Sequence, residues 1–232
     1  ELQDVEADIF LSTGVLPASQ VYAALAFVAR VIAAAPPGAT VTFTGHSLGG
    51  GLAALMSVFF NASAKVFDAA PAVLSALNPS LVMSFYDFFE ARANAEGVAL
   101  GNAYAQSFST YDTAAHFSIA ALTPVYLARS SAVSGLHVEG EVLVPFRFAL
   151  GDIGDSAVID VGAMELGTLG SISKHSIDLL ALMERSASFA TAARALPSLA
   201  SLVMSEDLYG GSGSARFDRS QRFLAHLLRN ES

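Results

Sequence analysis

Apolar positions recur over residues 17–35 with the three-to-four spacing of a helix. Pro17 suits its first turn, Ser19 or Thr13 could cap it, and Pro36-Pro37-Gly38 stops it. Alternating Val, Thr and Phe over 40–44 predict a buried strand, Leu48–Phe60 a helix, and "AKVF" at 64–67 a short strand ending at "DAAP". Strand, helix and strand in that order predict a parallel unit. Residues 79–95 predict an amphipathic helix, and "GLHVEGEVLV" at 135–144 alternates as a strand. Between the second and third strands lies an insertion of mixed apolar and aromatic residues. Beyond the Gly-rich stretch "GDIGDSAVIDVGAMELGTLGS", residues 176–186 and 219–229 predict further helices. No repeat or linker interrupts the pattern, so 1–232 is expected to form one domain, with 72–126 as a lid or cap insertion.

Composition narrows the partners. Of the 232 residues, 53% are hydrophobic and 14% charged, an apolar balance for a domain of this size. The longest apolar stretch, 21–37, is broken by Arg30 and ends at two prolines, which suits a buried helix and not a bilayer span. The formal charge of −9 repels phosphate backbones, so nucleic acid is excluded as a partner. No cysteine is present, which excludes disulfides and thiol chemistry.

The chemistry gathers at the corner between the first strand and the second helix. Gly45-His46-Ser47-Leu48-Gly49 has the G-x-S-x-G form, in which a serine sits on a strained strand-to-helix turn and small residues let the backbone pass close to itself. The new helix directs its unpaired N–H groups and the positive end of its dipole at charge developing beside Ser47. The backbone N–H of Leu48 is therefore a candidate oxyanion donor. Gly50 and Gly51 would let the helix lie tight on the sheet.

"TGHSLGGGLAAL" resembles the elbow of the class 3 lipases. "KVFDAAP", "VEGEVL" and "KHSIDLL" are similar to segments of bacterial secreted lipases and phospholipases. The resemblance implies an α/β-hydrolase-type fold, mostly parallel in its sheet and flanked by helices, with a helical lid-like insertion. It also implies cleavage of carboxylic esters by Ser47, a base and an acid, without cofactor. Among five histidines, His46 adjoins Ser47 and is expected to pack behind the elbow, His137 lies in a strand, His116 in the insertion and His226 in a terminal helix. His175 follows the Gly-rich loop and precedes a helix, and the chain order Ser, acid, His makes it the candidate base. For the acid, Glu141 occupies the place of the Asp in the class 3 D-x-V-P segment. Asp68 resembles the acid-bearing stretch of the pancreatic lipase family, and Asp152 or Asp155 are further options. Asp68 could otherwise cap a helix starting near Pro71.

A second oxyanion donor normally comes from a loop after an earlier strand. Residues 1–10, with four carboxylates, do not suit that strand, so the chain is expected to be N-terminally incomplete. The strand at 40–44 should then lack one neighbour, and self-association should follow. The expected partner is a lipid or ester substrate, with lipid-surface contact through 72–126. A secreted or extracellular location is expected, with the cytoplasm left open. "GGSGSARFD" at 210–218 resembles a calcium-binding repeat but has Ala215 where an aspartate belongs, so no metal is expected. The alternative function is a catalytically impaired hydrolase fold that serves as a binding or interaction module.

Overall fold

Helix α1 (Ala18–Ala34) keeps Val21, Leu25, Val28, Ala29 and Ile32 on its buried face, the 3.6-residue stripe that amphipathic burial requires. Pro17 precedes its first turn and no side chain caps it, so Ser19 lies inside the helix. The structure, a computed structural model, describes residues 15–99, 101–160, 175, 177–185, 187, 190 and 191. After α1 come β1 (Thr42–His46), α2 (Leu48–Phe60), β2 (Ser63–Phe67), α3 (Val73–Ala76), α4 (Pro79–Ala95), α5 (Ala103–Phe117) and α6 (Ile119–Ser130). β3 (Val133–Val138), α7 (Val144–Leu150), β4 (Asp155–Ile159) and α8 (Ile177–Arg185) follow. The chain has an α/β fold, a parallel sheet with flanking helices.

The sheet runs in the order β1-β2-β3-β4. β1 pairs with β2 in parallel, Thr42 opposite Ser63 through His46 opposite Phe67, and β2 pairs with β3, Ala64 opposite Val133 through Phe67 opposite Leu136. Among the described residues β1 is paired on one side only. The expectation of a buried strand at 40–44 is corrected. The strand starts at Thr42, and Thr42 and Thr44 are exposed. Helix α2 covers one face of β1 and β2, so their residues alternate, with Ala64 and Val66 buried and Ser63 and Lys65 exposed. On that exposed side Thr42 Oγ1 and Ser63 Oγ lie 3.1 Å apart in a cross-strand hydrogen bond. Two other expectations change. The strand expected over 135–144 ends at Val138, because Gly140 at φ 68 turns the chain, and β4 lies within the stretch read as a loop. The stretches 1–10, 210–218 and 219–229 lie outside the described residues.

The core sits between α2 and the helices of the 72–126 segment. α2 carries no charged residue and buries ten of its residues, Gly50, Gly51 and all from Ala53 through Phe60. Phe59 stacks on Phe108 at 4.5 Å, and Phe60 meets Phe89 edge-on at 4.9 Å. Full burial of each such ring contributes about 2–3 kcal/mol. Asn78 caps α4 by accepting from Leu81 N–H at 3.2 Å, and Asn102 caps α5 by accepting from Tyr104 N–H at 2.9 Å. The buried Arg129 on α6 donates to the Val58 and Phe59 carbonyls at 2.9 and 3.0 Å and to the Ser107 carbonyl at 2.9 Å. Its cation thus meets the negative end of the α2 dipole, and burial draws its pKa down. Among the described residues no helix is long and apolar enough to cross a membrane. The chain divides into two units, Glu1–Leu136 with Pro145–Ala157, and His137–Val144 with Val158–Ser232.

Candidate active site

The elbow belongs to the first unit. Ser47 has φ 57 and ψ −128 and stands between the last residue of β1 and the first of α2. This is a conformation that L-residues rarely occupy, at a cost on the order of 1–3 kcal/mol that surrounding structure must offset. Backbone bonds from the end of β2 provide that offset. Ser47 N–H donates to the Phe67 carbonyl at 3.0 Å, and the Ser47 carbonyl accepts from Ala70 N–H at 3.0 Å and from Gly51 N–H at 3.1 Å. Close approach explains two glycines. A Cβ on Gly45 would overlap the Gly49 carbonyl, and one on Gly51 would stand 2.6 Å from the Ala70 carbonyl oxygen. Leu48, the first residue of α2, has an N–H with no acceptor inside the helix by construction.

Asp68 follows β2 directly, at φ 42, and is fully buried. Its Oδ2 lies 3.8 Å from His46 Nε2, and its N–H donates to the Leu136 carbonyl at 2.8 Å. The helix near Pro71 is α3, whose N-cap position is Ala72, with no side-chain cap. Asp152, another acid option, lies 3.7 Å from Arg147 Nε. Asp155 begins β4 and is exposed. Arg147 itself, 6% exposed, donates to the Ala69 carbonyl at 2.8 Å and so supports the turn that holds Ser47. Sequence reading missed that role. The signal was a single cation inside the apolar run "LVPFRFAL", since a charge in such a setting is buried only with partners.

Glu141 and His175 belong to the second unit. Glu141 lies in the turn after β3, 1% exposed. The turn is held by Glu141 N–H to the Val138 carbonyl at 3.3 Å and Val144 N–H to the Glu141 carbonyl at 3.2 Å. Its Oε2 accepts from Leu143 N–H at 2.8 Å and from His175 Nδ1 at 2.6 Å, the short range of a charge-assisted bond. His175 lies two residues before α8 and is mostly buried. Of the other histidines, His116 on α5 faces Asp112 at 3.3 Å, His137 is in β3, and His226 lies outside the described residues. The structure therefore brings Glu141 to His175 and Asp68 to His46.

A family model described as "Phospholipase-like: Tle-like phospholipase domain" matches residues 2–146. That span contains Ser47, Asp68 and Glu141 and stops before His175. No curated protein matches the chain, and no solved structure does. With more than half its length matched and a strained serine corner in a parallel α/β sheet inside the matched span, the chain belongs to the family of Tle-like phospholipase domains, lipid-ester hydrolases in the broad sense.

Proposed function

We propose that the chain cleaves carboxylic esters of lipids through an acyl-enzyme on Ser47, with His175 as base and Glu141 as the carboxylate that orients it. The observation that carries this reading is the φ 57, ψ −128 backbone of Ser47 at the mouth of α2. Strain of that kind at a serine between strand and helix serves to lift its Oγ clear of the sheet. The 2.6 Å contact of Glu141 with His175 Nδ1 supports the rest. Holding the proton on Nδ1 leaves the lone pair on Nε2, which takes the Ser47 proton as Oγ attacks the ester carbonyl. The tetrahedral oxyanion meets the Leu48 N–H and the dipole of α2. Collapse expels the alcohol, which receives the proton from His175. A water then attacks the acyl-serine by the reverse route and releases the fatty acid. This chemistry matches what the class 3 lipase resemblance implies, and a secreted location goes with it.

Turnover of a p-nitrophenyl ester series and labelling by a fluorophosphonate test the reading. Both should occur in the native chain and vanish in Ser47→Ala. Absence of both from the native chain would instead make it a binding module on a hydrolase fold.

A further inference from the structure

The first unit carries exposed apolar side chains on the same edge as its elbow. β1 and β2 are parallel, so Ser47 and Asp68 stand at one edge, the carboxyl edge. α3 follows β2 there, with Leu74 42% exposed. α5 starts at the opposite edge, where the Tyr104 hydroxyl accepts from Val41 N–H at 2.7 Å, just before β1. Its 15 residues rise about 22 Å and bring Phe117 back to the carboxyl edge. α6 returns the other way, since Arg129 near its end reaches the carbonyls that close α2, the helix that sets out from Ser47. The corner between α5 and α6 therefore lies at the carboxyl edge, with Phe117 78% and Ile119 56% exposed. α7 lies there too. Arg147 bonds Ala69 in the turn after β2, and its neighbour Phe148 is 94% exposed.

Apolar exposure of this size has a cost in water, and here the segments that carry it hold almost no charge. Residues 71–78 and 117–128 hold no charged side chain, and 145–150 hold only Arg147, which is buried. His116, paired with Asp112, and the part-exposed Asp152, paired with Arg147, border the patch. On a chain of net charge −9, an uncharged apolar rim complements a surface that has hydrocarbon beneath it and no net negative charge.

We infer that Leu74, Phe117, Ile119 and Phe148 form a docking surface for a zwitterionic phospholipid bilayer, placing the elbow against the membrane. This rests on the lipid-ester reading for its choice of partner. The aromatic and aliphatic tips enter the interfacial zone of the bilayer and lose their contact with water. Phe148 lies outside the 72–126 segment, and that segment contributes only at Leu74 and at the α5–α6 corner.

Flotation of the full chain with phosphatidylcholine vesicles tests the surface. The native chain should float with the vesicles at low and high salt alike, because the attraction is not electrostatic. Phe117→Ser with Phe148→Ser should lower partition about tenfold or more, and Phe148→Ser alone, at a fully solvated position, should lower it severalfold if the double variant loses its thermal transition. Phe27→Ser on α1, where Phe27 is 60% exposed, should leave flotation unchanged. Turnover of a water-soluble short-chain ester should be equal in all of these. The inference is overturned if the native chain fails to float, if the double variant floats like the native chain, or if the variant's only change is from dimer to monomer in sedimentation, which would assign the patch to a second copy. Flotation without Ser47-dependent ester turnover would overturn the catalytic reading and leave the surface standing.

Discussion

Two histidines meet carboxylates on either side of the division between the units, and the two pairs are built differently. In the second unit, Glu141 hangs from a turn, its Oε2 fixed by the Leu143 N–H, and reaches His175 Nδ1 at 2.6 Å. In the first, Asp68 sits at the end of β2 with its Oδ2 3.8 Å from His46 Nε2. The first distance is that of a directed hydrogen bond, and the second lies outside hydrogen-bonding range. The longer Glu side chain makes this difference, since it leaves its turn far enough to be aimed, whereas Asp68 stays close to the backbone that clamps Ser47. One pair has the geometry to set a tautomer. The other is placed to set a corner.

The sharpest test of that contrast is removal of each imidazole. His175→Ala should lower ester turnover ~10⁴-fold, as should Ser47→Ala, while His46→Ala should cost ~10-fold or less. Near-normal turnover in His175→Ala would make the two pairs exchange roles. Neutralising the carboxylates comes next. Glu141→Gln should lower kcat ~10³-fold with the transition in urea little moved, and Asp68→Asn should lower urea stability with kcat within ~10-fold of native. The reverse order would show that the acid follows β2.

A further variant probes the corner without touching either pair. Gly51→Val would put side-chain atoms against the Ala70 carbonyl, one of the residues that bonds Ser47. It should destabilise the fold by about 2–3 kcal/mol, read as a lower urea midpoint. An unchanged midpoint would mean that α2 has room to move off the sheet.

The smallest effect comes from a third pair, His116 with Asp112 on α5, at 3.3 Å. Burial raises the pKa of Asp112, the nearby Asp87 and Glu90 add to the rise, and His116 opposes it. A carboxyl with a raised folded-state pKa gives stability that is complete below its unfolded pKa and is lost as pH climbs through the folded value. Asp112→Asn should therefore raise Tm at pH 7 by ~2 °C or less, and the gap should close below about pH 4, where both forms are neutral. A gap that persists at low pH would trace the effect to packing.

Much of the scaffold was legible along the chain. Leu48–Phe60 and Pro79–Ala95 have the boundaries that their helix-forming runs foretell. The misreadings occur where alternation carries no stop signal of its own. "GLHVEGEVLV" keeps its two-residue rhythm through Gly140, whose positive φ ends the strand and lowers Glu141 into a turn. β4 went unread because glycines flank a stretch of only five residues. Arg129 was invisible because the carbonyls it caps lie about 70 positions earlier, |i−j| being 71 and 70.

By itself the sequence determined the elbow, since Gly45 passes against the Gly49 carbonyl only four residues on, and sterics that local are written in consecutive residues. It also narrowed the base and the acid to a few titratable side chains. Only the tertiary structure decided which carboxylate meets which imidazole. Glu141 and His175 are 34 positions apart, and a distance of 2.6 Å between them depends on where a turn and a helix end up in space. It also decided where the exposed apolar rim lies. Leu74, Phe117, Ile119 and Phe148 share an edge because parallel strands and returning helices bring them there, and no pattern of hydrophobicity along the chain distinguishes them from the core.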